Sequence, residues 1–250
     1  MIKNYLITSF RNLRRNWNFT VINVTGLTLG LACCLLIFFT VRYELSFDAH
    51  QKNVDQLYRL VQHFKKRGEK GFNPGMPLPV LAALKNDFPE IKNQVACTYA
   101  IKETLITIDK KGNKKKISDP FYAISFIAPE FFNMLDYKWL KGSPSTSLTS
   151  PGSVVLTETQ AKKYFGNDEP MGKTIRVNNH MNFVVTGLLA DPPLTTNFPF
   201  QTMLSFSSLK EYGAFTNWDD WASTYGGGQV YLKLPQSITQ QKFEKQLLGI

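Results

Sequence analysis

The stretch FTVINVTGLTLGLACCLLIFFTV, residues 19–41, decides how this chain is organised. It contains no charged side chain, and none occurs anywhere between Arg15 and Arg42. About 20 consecutive apolar residues are enough to cross the hydrocarbon core of a bilayer as a helix. The stretch exceeds this length, and it also exceeds the apolar region of about 7–15 residues that a cleaved signal peptide carries. The sequence therefore predicts an uncleaved transmembrane helix.

The residues on either side of this stretch predict its orientation. Four basic residues precede it, whereas one basic residue follows it together with two acidic ones: Lys3, Arg11, Arg14 and Arg15 before, and Arg42, Glu44 and Asp48 after. By the positive-inside rule the N-terminus lies in the cytoplasm and everything after Tyr43 lies outside. Trp17 and Tyr43 suit the two aromatic belts of a membrane, because a helix places them about 39 Å apart.

The net charge of the 250-residue chain is +10, from 29 Lys and Arg against 19 Asp and Glu. A surplus of this size is a common sign of a nucleic-acid or anionic-membrane partner. Five of the basic residues lie within the first 42 residues, which contain no acidic residue, and this leaves 24 basic against 19 acidic residues for the rest. Half of the surplus is therefore an orientation signal, and we expect no nucleic-acid partner.

The segment before the apolar stretch has the pattern of an amphipathic helix. Its large apolar residues recur at helical spacing, with basic and polar residues between them: Ile2, Tyr5, Leu6, Phe10, Leu13 and Trp17. Such a helix lies in the headgroup layer, where its Arg11, Arg14 and Arg15 meet anionic lipid. Membrane lipids are therefore expected partners, and the alternative is a cytosolic segment that frays.

Two glycines within the apolar stretch have the spacing of a helix-packing motif. Gly26 and Gly30 lie four residues apart, and small residues at this spacing let a second membrane helix approach closely. The alternative is that glycine is simply tolerated in membrane helices. On the first interpretation these two positions are a helix-packing site.

Helical and strand patterns alternate beyond Tyr43, which is typical of an α+β fold. We predict helices at residues 47–57, 79–88, 129–135, 158–165 and 239–248, and strands at residues 58–64, 94–101, 104–108, 174–177, 183–189 and 229–234. We also predict a lysine-rich hairpin tip at residues 109–116, a turn at residues 178–180 and a flexible link at residues 226–228. The predicted organisation is an interfacial helix at residues 1–17, a transmembrane helix at 18–43 and a mixed α/β domain at 44–250.

One motif invites an enzymatic interpretation. The segment GNDEPMGKT, residues 166–174, looks like a phosphate-binding loop, but five residues separate its glycines where that loop has four. A helix is predicted before it and a strand after it, the reverse of the strand and helix that the loop needs. We therefore interpret it as a turn from a helix to a strand.

Other residues with catalytic or metal-binding chemistry are scattered along the chain. The three histidines, His50, His63 and His180, share no short ligand spacing. Cys33 and Cys34 fall in the apolar stretch, and Cys97 is expected in the core. The adjacent Asp219 and Asp220 point in different directions on any regular element and cannot flank one bond. We expect no catalytic, cofactor or metal site and no enzymatic activity.

Several motifs, taken in order, resemble those of MacB/FtsX-type ABC transporter permeases. They begin before the apolar stretch and continue through the domain: NYLITSFRNLRRNW (4–17), YELSFDAHQKNVDQLYRLV (43–61), APEFFNMLDYKWLKG (128–142), AKKYFG and PMGKT within 151–174, and VVTGLLADPP (184–193). The resemblance covers nearly the whole chain. It identifies residues 44–250 as similar to the MacB-like periplasmic core domain.

This resemblance implies a place and a set of partners. The place is the bacterial inner membrane, with the bulk of the chain in the periplasm. A separate cytoplasmic ATPase closes on ATP, and membrane helices relay its movement to periplasmic domains for efflux or for lipoprotein and envelope handling. The implied partners are that ABC ATPase and a second permease, as a homo- or heterodimer; a periplasmic adaptor is a further partner that the resemblance allows.

The family permease has four membrane helices, whereas this sequence holds only the first. We therefore expect the chain to be the front portion of a larger permease. The alternative function is a single-pass, membrane-anchored extracytoplasmic domain that binds a ligand or partner, as a sensor or scaffold does. Three further apolar spans and an ATPase gene downstream of Ile250 would favour the permease, and a stop without either would favour the anchored module.

Overall fold

A computed structural model of the chain describes residues 2–52, 54–66, 68–102, 104–110, 113–120, 123–213 and 218–247. The chain divides into two compact units, Met1–Ala49 and His50–Ile250. The first unit is helical. The second unit, called the sheet domain here, contains strands and short helices.

The helical unit consists of α1 (Ile2–Arg15) and α2 (Trp17–Glu44). Asn16 separates them with a backbone outside the helical region (φ −107°, ψ 48°), and the Thr20 hydroxyl donates a hydrogen bond across the break to the Leu13 carbonyl at 2.9 Å. The 28 residues of α2 extend over about 42 Å. Among the described residues, α2 is the one helix long and apolar enough to cross a membrane, and none of its residues is buried.

The sheet domain contains four α-helices within the described residues: α3 (Pro79–Asp87), α4 (Phe131–Met134), α5 (Glu158–Phe165) and α6 (Gln240–Leu247). Its strands are β1 (Leu57–Arg59), β2 (Gln62–Lys66), β3 (Glu69–Asn73), β4 (Val95–Ala100), β5 (Thr104–Lys110), β6 (Asn113–Asp119), β7 (Ile124–Ile127), β8 (Trp139–Lys141), β9 (Ser153–Thr157), β10 (Thr174–Val177), β11 (Met181–Leu189), β12 (Thr202–Ser205) and β13 (Gly228–Lys233).

Most of these strands belong to one mixed sheet in the order β1-β13-β4-β7-β12-β9-β11-β10-β5-β6, with β8 paired to β11. The pairs β7–β12 and β9–β11 are parallel and the other pairs are antiparallel. Strands β2 and β3 form a separate two-stranded sheet. A long apolar helix followed by a mixed sheet with helices confirms the predicted α+β class.

The core lies on both faces of the central strands. Every residue of β4, β7, β9 and β12 is buried, as expected for strands covered on both sides. Phe126 and Phe183 belong to one apolar cluster with α5, Phe131 belongs to a second cluster around α4, and Ile91 belongs to a third cluster that includes α3 and α6. Burial of these side chains is the main stabilising contribution.

The local patterns predicted several elements to within one or two residues. Helices α3 and α5 and strand β10 lie where the sequence places them, and the segment 166–174 is the predicted turn from α5 to β10. Asn178 and Asn179 have φ of 51° and 55°, in the left-handed region, and they lie in the predicted three-residue turn 178–180 between β10 and β11. The lysine-rich hairpin is formed by β5 and β6, although Lys111 and Gly112 lie outside the described residues.

Two predictions near the start of the sheet domain are wrong. Residues 47–57 do not form one helix: turns occupy 45–50, Asp48 has a left-handed φ of 55°, and among the described residues of this range Val54–Gln56 alone make a short 3-10 turn. The predicted strand 58–64 is split between β1, in the large sheet, and β2, in the small one. Both halves of residues 58–64 have the same strand pattern, so the sequence contains no signal that they belong to different sheets.

The flexible link predicted at residues 226–228 is also wrong in part. Gly228 opens β13 and its carbonyl accepts the Met76 amide at 2.8 Å, while the Gly227 carbonyl accepts the Ala100 amide at 2.9 Å. A Cβ added to the facing Gly75 would lie 2.2 Å from the Tyr225 carbonyl oxygen. Gly75 is needed because two backbone segments approach closely at this point, and the hydrogen bonds of Gly227 and Gly228 hold part of the predicted link in place.

Candidate functional site

Helix α1 presents an apolar face and a basic face. Tyr5 and Phe10 are 73% and 71% exposed, as expected of side chains whose apolar surface is covered by lipid. Arg11 and Arg15 lie one turn apart and line a groove together with Thr8, Ser9 and Asn12. Arg14 lies on the same helix and is exposed. Guanidinium groups and neighbouring hydroxyls and amides are donors suited to a phosphate group.

Helix α2 leaves both predicted packing glycines open. Gly26 and Gly30 are one turn apart, and a Cβ added to either would meet no atom within 4 Å. Trp17 is the first residue of the helix, and its ring is exposed. Tyr43 lies near the other end, where its ring packs edge-on against the Phe47 ring with 5.3 Å between the ring centroids. The helix-packing and membrane-interface roles of these residues stay predictions.

The histidines and the adjacent aspartates occupy separate places in the sheet domain. His50 bonds to Gln51, His180 packs against the Tyr212 ring, and the Asp220 carboxylate accepts the Ala222 amide in a local turn. Among the described residues, no three His, Cys, Asp or Glu side chains are grouped so that they could hold a metal ion.

Cys97 lies in the core, as the sequence predicts. It is 2% exposed on β4, and burial raises the pKa of its thiol to about 12. The thiolate is the reactive form of cysteine, so this side chain behaves as a small apolar residue.

A buried polar cluster around Asp119 is a feature that the sequence does not indicate. The Asp119 carboxylate, at 1% exposure, accepts hydrogen bonds from the Tyr164 hydroxyl and the Gln160 amide and forms an ion pair with Lys163. Three of these residues come from α5, and Asp119 ends β6. Burial and the neighbouring Asp119 carboxylate raise the pKa of Tyr164, so the hydroxyl stays a donor. The cluster fixes α5 to an outer strand of the sheet.

A second such feature joins residues that follow the helical unit to the segment between α4 and β8. The Asp136 amide donates to the Gln51 side-chain oxygen at 2.7 Å, and the Asp136 carboxylate accepts the Lys52 amide at 3.1 Å. Beside them is a cavity of about 120 Å³, lined by His50, Asp136, Lys138, Asp191, Pro192 and Thr196 among others. Gln51 and Asp136 are 85 residues apart in sequence and no motif contains both, so sequence reasoning did not find this contact.

The fold described above defines a protein with one long apolar N-terminal helix followed by an α+β domain. Residues 20–250 match the model of the MacB-like periplasmic core domain family. The chain belongs to this family, which is the periplasmic core domain of MacB-like ABC transporter permeases and is not itself catalytic.

Three solved structures are similar to parts of this chain, and the first of them shares its fold. A domain of a proposed permease protein from Porphyromonas gingivalis has a TM-score of 0.61 at 14% identity, over 78% of this chain and 79% of that one. The periplasmic region of MacB from Actinobacillus actinomycetemcomitans has a TM-score of 0.48 at 18% identity, over 67% and 71%. The extracellular domain of the ABC-type transporter YknZ from Gram-positive bacteria has a TM-score of 0.48 at 14% identity, over 76% and 87%. No curated protein matches the chain in sequence.

Proposed function

We propose that the chain is a permease subunit, or part of one, of a MacB/FtsX-type ABC transporter. In this role α2 relays ATPase-driven motion to the sheet domain, for efflux or for lipoprotein and envelope handling. The observation that carries the proposal is that the family match begins at residue 20, inside α2, and runs through the sheet domain. The apolar helix and the sheet domain are thus parts of one family unit, which is what a relay between them requires.

The proposed topology places the N-terminus in the cytoplasm, α2 across the bacterial inner membrane and the sheet domain in the periplasm. Support comes from the uncharged stretch between Arg15 and Arg42 and from the basic residues that precede it. Helix α1 then lies in the inner headgroup layer, with its exposed aromatic residues in lipid and its arginines among anionic headgroups.

The proposed partners follow from this topology. A cytoplasmic ABC ATPase hydrolyses ATP, because the family domain itself is not catalytic. A second permease, identical or related, packs against α2, whose glycine face at Gly26 and Gly30 is open. Membrane lipids surround α1 and α2, and a periplasmic adaptor is a further partner of the sheet domain.

The anchored binding domain is the less favoured function. The cavity beside Asp136 has a volume of about 120 Å³, whereas pockets for small molecules occupy about 300–1,000 Å³. A space of this size suits a few water molecules. This cavity, which is lined by described residues, is therefore too small for a metabolite-sized ligand.

The relay is tested by measuring movement between α2 and the sheet domain. Spin labels are placed at Phe39→Cys on α2 and Lys162→Cys on α5, both exposed positions, with Cys33 and Cys34 replaced by alanine. The chain is reconstituted in lipid nanodiscs with its candidate ATPase. We expect ATP to shift the distance between the labels, and an ATPase variant that cannot bind ATP to abolish the shift. An unchanged distance with an active ATPase would contradict the relay.

A further inference from the structure

The contact between Gln51 and Asp136 is reciprocal. The Gln51 side-chain oxygen accepts the Asp136 backbone amide at 2.7 Å, and the Asp136 carboxylate accepts the backbone amide of Lys52, the residue next to Gln51, at 3.1 Å. Each segment thus satisfies a backbone donor of the other with a side-chain oxygen. Two hydrogen bonds between the same pair of segments fix both their spacing and their orientation.

Both the oxygen and the nitrogen of the Gln51 side-chain amide have a partner in this arrangement. Its oxygen already accepts from Asp136, so its NH2 group faces His50 and donates to the Nε2 atom of that ring at 2.9 Å. Gln51 is 8% exposed, although it lies between the more exposed His50 and Lys52. A buried glutamine whose oxygen and nitrogen both have partners restricts the conformation of the irregular segment in which it lies.

Asp136 belongs to a rigid part of the sheet domain. The preceding Leu135 is 3% exposed, and its amide donates to the Phe131 carbonyl of α4 at 3.2 Å. On the other side, the Lys138 carbonyl accepts the Ala190 amide at 2.9 Å, and β8 continues into the sheet beside β11. A force applied at Gln51 is therefore received by the apolar cluster around α4 and by the sheet itself.

The position of this contact along the chain sets the length of the segment that follows α2. Helix α2 ends at Glu44, Gln51 is the seventh residue after it, and β1 begins with Leu57, the thirteenth. An extended chain spans at most about 3.5 Å per residue, which gives about 25 Å to Gln51 and about 45 Å to Leu57. Without the Gln51–Asp136 contact, the next backbone hydrogen bond along the described part of the chain is the one that the Gln56 carbonyl accepts from the Leu234 amide at 2.9 Å, so that up to about 18 Å of additional chain would be released.

We propose that Gln51 and Asp136 act as a clasp that fixes the effective length of the segment after α2, so that displacement of α2 reaches the sheet domain instead of being taken up as slack. Gln51 and Asp136 are positioning residues in this sense, and the use of the clasp for transport rests on the proposed function. The clasp itself is a property of the chain alone, and it is tested without an ATPase.

The experiment uses the spin-label pair at Phe39→Cys and Lys162→Cys in nanodiscs without ATPase. In the Gln51→Ala and Asp136→Ala variants the segment after α2 grows from seven residues to twelve. The distance distribution should therefore widen by a factor of about 1.3, if the width grows as the square root of segment length, to about 1.7, if it grows linearly. Lys52→Ala is the matched control, because its backbone amide keeps its bond to Asp136, and it should not widen the distribution.

Two further measurements separate the clasp from general loss of structure. Hydrogen exchange of the Lys52 and Asp136 amides should accelerate in both alanine variants while the thermal midpoint of the sheet domain changes little. If a variant does not fold, the labels are carried instead on ketone-bearing unnatural amino acids at positions 39 and 162. The pair Gln51→Cys and Asp136→Cys is then bridged by a short reducible thiol cross-linker, and the same sample is compared before and after reduction. The bridged form should give the narrow distribution and the reduced form the wide one.

Unchanged widths in both alanine variants, with accelerated exchange of the two amides, would overturn the clasp, as would equal widths before and after reduction. Adding ATPase and ATP then tests the relay separately. A wild-type distance shift that shrinks in Gln51→Ala supports both proposals. If the distance distributions of the alanine variants are wider but ATP does not shift the wild-type distance, the clasp is supported and the relay is contradicted.

Discussion

The carboxylate of Asp191 accepts hydrogen bonds from both the amide and the hydroxyl of Thr159, at 3.0 and 2.7 Å. Thr159 is the second residue of α5, where a backbone amide has no partner within the helix. The carboxylate also lies at the positive end of the helix dipole. Asp191 therefore caps α5 from the loop that follows β11, and this loop and the helix stabilise each other.

This cap predicts a pH-dependent stability. Burial pushes the pKa of Asp191 upward, but the hydrogen bonds from Thr159 outweigh it and hold the pKa below its ordinary value. Because the folded-state pKa is the lower one, the stabilisation is complete above the unfolded pKa of about 3.9 and is lost as the pH falls through the folded pKa. Asp191→Ala should cost about 1 kcal/mol of unfolding free energy at pH 7, and the difference from wild type should shrink at pH 3.

Urea unfolding at the two pH values measures this prediction. Asp219→Asn, which changes an exposed acid in a loop, is the control and should differ little from wild type at either pH. A cost for Asp191→Ala that is equal at pH 7 and pH 3 would mean that the carboxylate charge does not contribute.

The Asp119 cluster predicts a larger loss. Asp119→Ala leaves the Tyr164 hydroxyl and the Gln160 amide without their acceptor in the interior, so we expect a cost of about 3 kcal/mol. Tyr164→Phe removes one donor and should cost about 1 kcal/mol. Chemical denaturation of the three proteins measures both values. Lys162→Ala, exposed on the same helix, is the matched control, and the interpretation fails if Asp119→Ala costs no more than Tyr164→Phe.

The close approach at Gly75 predicts opposite results for two glycines. Gly75→Ala places a Cβ 2.2 Å from a backbone oxygen, so the two segments must separate, and we expect a loss of about 2–3 kcal/mol. Gly226→Ala meets no atom within 4 Å and should change stability by less than about 0.5 kcal/mol. Thermal unfolding of both variants makes the comparison, and equal losses would refute the steric explanation.

The burial of Cys97 predicts that its thiol reacts slowly in the folded protein. With Cys33 and Cys34 replaced by alanine, the folded protein should react with a thiol reagent at pH 8 at least about 100-fold more slowly than in urea, because burial raises the pKa of Cys97 to about 12 and excludes the reagent. Mass spectrometry of the labelled protein follows the reaction. Rapid labelling without denaturant would show that β4 opens locally.

The sequence predicted those elements whose signals are local. Residues 158–165 have a helical pattern closed by Gly166, and the two asparagines at 178 and 179 specify a tight turn, so α5 and the β10–β11 hairpin lie where expected. The uncharged stretch likewise suffices to predict α2. No local signal distinguishes β1 from β2, because the partner strand of each is chosen by distant residues.

The polar contacts that hold the domain together were not predictable for the same reason. Asp119 and Tyr164 are 45 residues apart, and Gln51 and Asp136 are 85 residues apart. Each of these side chains looks like an ordinary surface residue in its own segment. Only the topology of the sheet brings them together, and the sheet order is not encoded by any single stretch.

Strands β1 and β6 form the two ends of the large sheet, and their sequences affect how neighbouring copies of the chain behave when they are crowded in a membrane. An outer strand with unpaired backbone groups is a template on which another chain can extend the sheet and aggregate. Here β1 is only three residues long, and β6 has Lys114, Lys115 and Lys116 in succession. The short length of β1 and the repulsion between the lysines of β6 and those of a second copy both oppose such extension. We therefore expect neighbouring copies to stay separate folded bodies at high local concentration and to meet through loops and side chains.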